Sequence, residues 1–211
     1  MIAQAQTLVL LLAVMAPFAA LGTARLTGCI RAVAAQGVLL GVLPLLLNGV
    51  TVHSVLLCAG TVAVKGVVLP RFLLWAIREA ALRREIEPRL GYVGSLLLGA
   101  VAIVVAFVTA QWLPSTEAHP LLMPASLATL MMGFVVMTTR RKALMQVVGY
   151  LFVENGVYVF GLSQAARLPF LLELGVLLDV FVAVFVMGIV VFQINREFDS
   201  LDAGRLRELT E

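Results

Sequence analysis

Apolar runs long enough to cross a bilayer recur along almost the whole chain, and they constrain its fold more than any other feature. A helix needs roughly 20 apolar residues to cross a hydrocarbon layer of about 30 Å. Seven candidate spans follow: 2–22, 33–48, 54–77, 91–113, 120–138, 143–163 and 170–194. No glycine-punctuated alternation points to a barrel, and a spanning segment must satisfy its own backbone groups, so helices are expected. The expected fold is all-α, a polytopic transmembrane helix bundle. The first run lacks a basic leader and a convincing cleavage site, so it reads as a retained span rather than a signal peptide. Gln36, Gly41 and Pro44 interrupt the second run, expected over 33–48, and make it the least regular of the seven.

The basic residues give the orientation. Arg25 and Arg31 lie between spans one and two, and Arg78, Arg83, Arg84 and Arg89 between three and four. Arg140, Arg141 and Lys142 lie between five and six, and Arg196, Arg205 and Arg207 follow seven. With seven alternating spans all of these fall on one side, whereas the opposite loops (48–53, 114–119 and 163–169) contribute only Arg167. The positive-inside bias then predicts an outside N terminus and an inside C terminus. Nucleic acid is not an expected partner, because the basic residues occupy short turns rather than an extended face. The inner loop 78–90 alternates charge signs, as a short interfacial helix does, and the tail 195–211 is polar. Trp112, Trp75 and Tyr92 stand near span ends, where interfacial anchors are common.

Ionisable residues in the middle of these runs are the candidates for function, since charge at that depth is expensive and seldom faces lipid. Lys65 is about midway along the third run. A buried lysine gives up its proton more readily than a solvated one, and Pro70, five residues on, leaves backbone carbonyls free. Glu154 is central in the sixth run, and Asn155 beside it points about 100° around the helix. Asp179 is central in the seventh. Glu173 lies roughly 9 Å nearer the outer side and about 120° around the axis, a separation suited to successive stations rather than a carboxylate dyad. Gln36 is placed to bond between helices. Cys29 and Cys58 show no CxxC pattern and read as small apolar fillers. His53 and His119 both begin spans at the outer side and read as interfacial residues rather than haem ligands. No phosphate loop, nucleophile elbow or haem-attachment motif is present, so no covalent chemistry is expected of this chain.

These residues together resemble a known family, the hydrogenase-4 component E membrane subunits of complex I-related hydrogenases and formate hydrogenlyases. The likeness lies in VKGVVLP around Lys65, RRKALMQVVGYLFVENG around Glu154, LLELGVLLDVFVAVFVMG around Glu173 and Asp179, and the ending FDSLDAGRLRELTE. The last three spans are also similar to the K-type subunit of complex I and the C-type subunit of multisubunit cation/proton antiporters. In the K-type subunit the glutamate and asparagine of this helix are separated, whereas here Glu154 directly precedes Asn155, and Glu173 has no counterpart there. The resemblance implies three parts: residues 1–115 with four spans, 116–195 with three K-type-like spans, and a cytoplasmic tail, 196–211.

It further implies a non-catalytic subunit in the inner (plasma) membrane of a prokaryote. Such a subunit contributes Lys65, Glu154, Asp179 and Glu173 to proton or sodium translocation. Its implied partners are antiporter-like membrane subunits and complex I-like membrane and iron–sulfur subunits. The chain itself would hold no cofactor; iron–sulfur clusters and a [NiFe] centre would belong to those partners. A structural adaptor between antiporter-like subunits, or a stand-alone ion transporter, would use the same charges differently.

Overall fold

The computed structural model describes residues 2–23, 25–79, 90–113, 119–140 and 143–164, together with 181, 184, 185, 187 and 188. The described residues are helical throughout, with short connections and no strand. Helix α1 covers Ile2–Gly22 and α2 covers Leu26–Asn48. The third span is composite: α3, Val52–Thr61, runs through a π-helical segment, Val62–Val68, into α4, Leu69–Glu79. Helices α5 (Gly91–Ala110), α6 (Leu122–Thr139) and α7 (Ala143–Ser163) follow.

Among the described residues, six helices are therefore long and apolar enough to cross a membrane, at or near six of the expected positions. The expected seventh span, 170–194, lies outside the described residues apart from five helical positions within it, among them the stacked rings of Phe181 and Phe185. Glu173 and Asp179 lie outside them too, as do most of the inner loop 78–90 and the tail.

The second span begins at Leu26, not at 33. Arg31 is tolerated inside the helix because it is exposed one to two turns from the helix end, where a long basic side chain can reach the interface. Gln36 and Gly41, read in the sequence as interruptions, form the packing face. Gly37 and Gly41 make a GxxxG pair that lets α2 approach the π-helical segment backbone to backbone. A Cβ added at Gly37 would lie 2.7 Å from Lys65 Cβ and 3.1 Å from its carbonyl carbon. One at Gly41 would meet Val62 Cγ2 at 2.6 Å. A second seam of this kind joins α6 to α7, where a Cβ at Gly133 or Gly156 would meet backbone nitrogen at 2.5 Å (Val153) or 2.7 Å (Leu130).

Apolar packing separates into two clusters along the bundle. One gathers Leu21, Ile30, Leu73, Val136, Val148 and Phe152. The other gathers Leu10, Leu40, Ala106, Leu122, Ala125 and Val159. The two ends of the bundle carry different polar contacts. Arg140, at the end of α6, donates to Leu21 O at the end of α1 and lies 5.4 Å from the Tyr92 ring at the start of α5. At the opposite end Gln6 Nε2 donates to Leu46 O, and Thr7 Oγ1 meets His119 Nε2 at 3.3 Å.

Candidate charged site at the middle of the bundle

The two apolar clusters leave a layer between them that carries the buried polar groups of α2, the π-helical segment and α7. Three elements supply it for separate local reasons. On α2, Gln36 faces inward beside Gly37 and is wholly enclosed. On the third span the helix widens: Leu69 N–H bonds Val64 O, five residues back, in place of the usual four. Pro70, the next residue, has no N–H to give its own turn, so the change of winding falls where an α-helical bond is lost in any case. π turns inside α-helices are infrequent and favour functional positions. Here the turn carries Lys65, which is 6% exposed. On α7, Glu154 and Asn155 fall midway along the helix and are each 2% exposed.

Lys65 Nζ donates to Glu154 Oε1 at 2.5 Å, closing an ion pair between side chains 6% and 1% exposed. It also donates to Asn155 Oδ1 at 3.2 Å. The Tyr158 ring lies 5.4 Å from the ammonium, one turn beyond Glu154 on the same face of α7. Attraction of a cation to a ring grows when both are desolvated. Thr61, one turn before Lys65, donates to the Tyr158 hydroxyl at 3.4 Å. Asn155 Nδ2 donates to Gln36 Oε1 at 2.7 Å, and Gln36 Nε2 donates to Ala13 O on α1, also at 2.7 Å.

Of the four acid and base positions singled out in the sequence, the structure brings Lys65 and Glu154 together; Glu173 and Asp179 are not described. Gln36 does bond between helices, to α7 on one side and α1 on the other. Asn155 joins the site through Lys65 rather than through its neighbour Glu154. Tyr158 and Thr61 were not anticipated, although the four-residue steps from Glu154 and Lys65 put each on the right face. Cys29 is buried and donates to Ala20 O, and Cys58 is half-buried; both are free thiols.

No family model matches the chain, and no solved structure matches it. Hydrogenase-4 component E of Escherichia coli strain K12 is 29% identical over 116 residues, 54% of this chain and 54% of that protein. The Shigella flexneri protein of the same name aligns with the same figures. The alignment thus spans about half the length of those relatives. The uncharacterized protein Rv0085 of Mycobacterium tuberculosis is 34% identical over 192 residues, 88% of this chain and 87% of that protein. The chain is a membrane protein of six described spans with a charged pair at mid-bundle, and it belongs to the family of Rv0085.

Proposed function

We propose that this chain is a non-catalytic membrane subunit of a complex I-related hydrogenase or oxidoreductase, and that Lys65 and Glu154 form one station on its proton or sodium pathway. The observation that carries the proposal is the ion pair itself, enclosed midway along two spans and mounted on a π turn. Buried ion pairs are weak devices for stability, because desolvation offsets their attraction. A lysine–carboxylate pair in a membrane is therefore better accounted for by transfer than by strength. A proton passing from Nζ to Oε1 turns the ion pair into a neutral amine and a neutral acid with no change of net charge. The proton can thus shift between the two helices inside the pair, and passing it on requires another proton to replace it. Glu173 and Asp179 are proposed as further stations, and the arginine-bearing edge of the bundle as the cytoplasmic one.

The similarity to hydrogenase-4 component E supports the assembly side of the reading. Antiporter-like membrane subunits and iron–sulfur subunits are the proposed partners, and the redox centres belong to them. A tagged chain extracted in mild detergent should bring those subunits with it, identified by mass spectrometry. Recovery of the chain alone or as a homo-oligomer would refute membership in such a complex. Within the assembled complex, Glu154→Gln should abolish redox-driven proton or sodium movement while electron transfer continues. Undiminished ion movement in that variant would remove Glu154 from the pathway.

A further inference from the structure

The polar groups across the middle of the bundle form a chain whose direction is set at both ends. Ala13 O is a backbone carbonyl and can only accept, so the Gln36 amide must turn Nε2 toward it. Gln36 Oε1 is then left facing α7, where it accepts from Asn155 Nδ2. Asn155 in turn presents Oδ1 to Lys65 Nζ. An ammonium can only donate, so the far end demands the same polarity as the near end. Reversing either amide would set donor against donor or acceptor against acceptor. With Gln36 0% and Asn155 2% exposed, solvent does not compete for these bonds.

We infer that Gln36 and Asn155 are positioning residues for the Lys65–Glu154 pair, aiming one fixed acceptor at Nζ and so holding Lys65 as the ammonium and Glu154 as the carboxylate. The inference rests on reading the pair as a transfer station, but its measurable content is the resting charge state of the pair. Hydrogen bonds to a charged group favour that charged form. Moving the proton from Nζ to Oε1 leaves Asn155 Oδ1 facing a weaker donor, so the amide chain opposes idle transfer. Transfer then awaits a charge arriving at a neighbouring station. Among the described residues, the groups around Nζ are Glu154, Asn155 and the Tyr158 ring from α7. Gln36 approaches through Asn155 from α2, and Thr61 through Tyr158 from the same span as Lys65. Glu154 and Tyr158 are the titratable members, and Tyr150, one turn before Glu154 on α7, is close enough to sense its charge.

Infrared spectra of the full chain in lipid vesicles at neutral pH test this, with the Glu154 band assigned by its loss in Glu154→Gln. The unaltered protein should show Glu154 as carboxylate. Gln36→Met, near its parent in length, and Asn155→Leu, which keeps the branched shape of its parent, should convert a major fraction to the protonated carboxyl. The double variant should convert no more than the stronger single one, because each cuts the same chain; independent space-filling roles would add. A purely structural role for Gln36 would move the melting temperature and leave the band alone. A carboxylate signature retained in folded Gln36→Met, or additive increments in the double variant, would overturn the inference. Should Gln36→Met fail to accumulate, Gln36→Asn is read the same way, since its shorter amide cannot span both partners. The two readings fail separately: ion movement surviving Glu154→Gln removes the station, whereas an unshifted band in the amide variants removes only the positioning role.

Discussion

Lys65 is enclosed at the middle of the bundle between a carboxylate, an amide oxygen and the face of Tyr158, whereas Arg140 is enclosed at one end with a backbone carbonyl and the Tyr92 ring. Both cations are buried, yet no carboxylate is paired with Arg140 among the described residues, and its Nε and Nη1 have no hydrogen-bond partner. Burial, the largest influence, lowers the Arg140 pKa from the ordinary arginine value. Arginine starts so high that it stays charged regardless, while lysine shifts readily and can let its proton go. The contrast separates two uses of buried positive charge. At the end of α6 a permanent cation ties the end of α1 to the start of α5, and at mid-bundle a lysine is held against a buried carboxylate, the arrangement that the proposed transfer requires.

The largest expected effect comes from removing half of the central pair. Lys65→Met leaves Glu154 buried without its ammonium, and Glu154→Leu does the converse; each should lose about 3–5 kcal/mol of stability. Lys65→Met/Glu154→Leu should recover most of that loss while ion movement stays absent. Thermal unfolding in detergent beside a transport assay reads both. If the double variant were as unstable as the singles, the pair would be holding the bundle together and the contrast with Arg140 would collapse.

Gly37→Val comes next. Its side chain would strike the backbone of the π turn, and overpacking of this kind costs about 1–3 kcal/mol. The signature to look for is loss of the Lys65–Glu154 pair along with the stability. Gly156→Val, which meets the backbone of α6 instead, should show a loss of similar size with the pair intact.

Exchanging the two cations sharpens the comparison most directly. Arg140→Lys keeps the charge and surrenders the planar fork, and should lower stability by about 1 kcal/mol with ion movement unchanged. Lys65→Arg keeps the charge and surrenders the discharge, so ion movement should cease even where the complex assembles. Active Lys65→Arg would mean that Lys65 acts as a fixed charge, as Arg140 does. The smallest effect belongs to Tyr158→Phe. The ring over the ammonium remains and, among the described residues, the long bond from Thr61 goes, so a change under about 0.5 kcal/mol is expected by thermal unfolding.

The glycines show why part of the site was hidden in the sequence. Gly41 read as a flaw in a span, because in isolation glycine weakens a helix. In the bundle, Gly37 and Gly41 are what allow α2 to lie against the π turn. The turn itself has no sequence signature beyond the nearby Pro70, since the residues around Lys65 are apolar on every side and show no stripe whose shift of about 100° would reveal the added residue.

The sequence by itself determined that the chain spans a membrane as helices, because runs of this length and polarity have no other way to satisfy their backbone in lipid. It also marked Lys65 and Glu154, since charges at that depth are too expensive to be incidental. Which charges meet was decided only by the tertiary structure. Helical periodicity states which residues share a face of one helix and nothing about which helix that face will find. Lys65 and Glu154 stand 89 residues apart, and Asn155 and Gln36 stand 119 apart. They come into register because closely packed glycines set the depth of one helix against another, and that contact is made between distant segments.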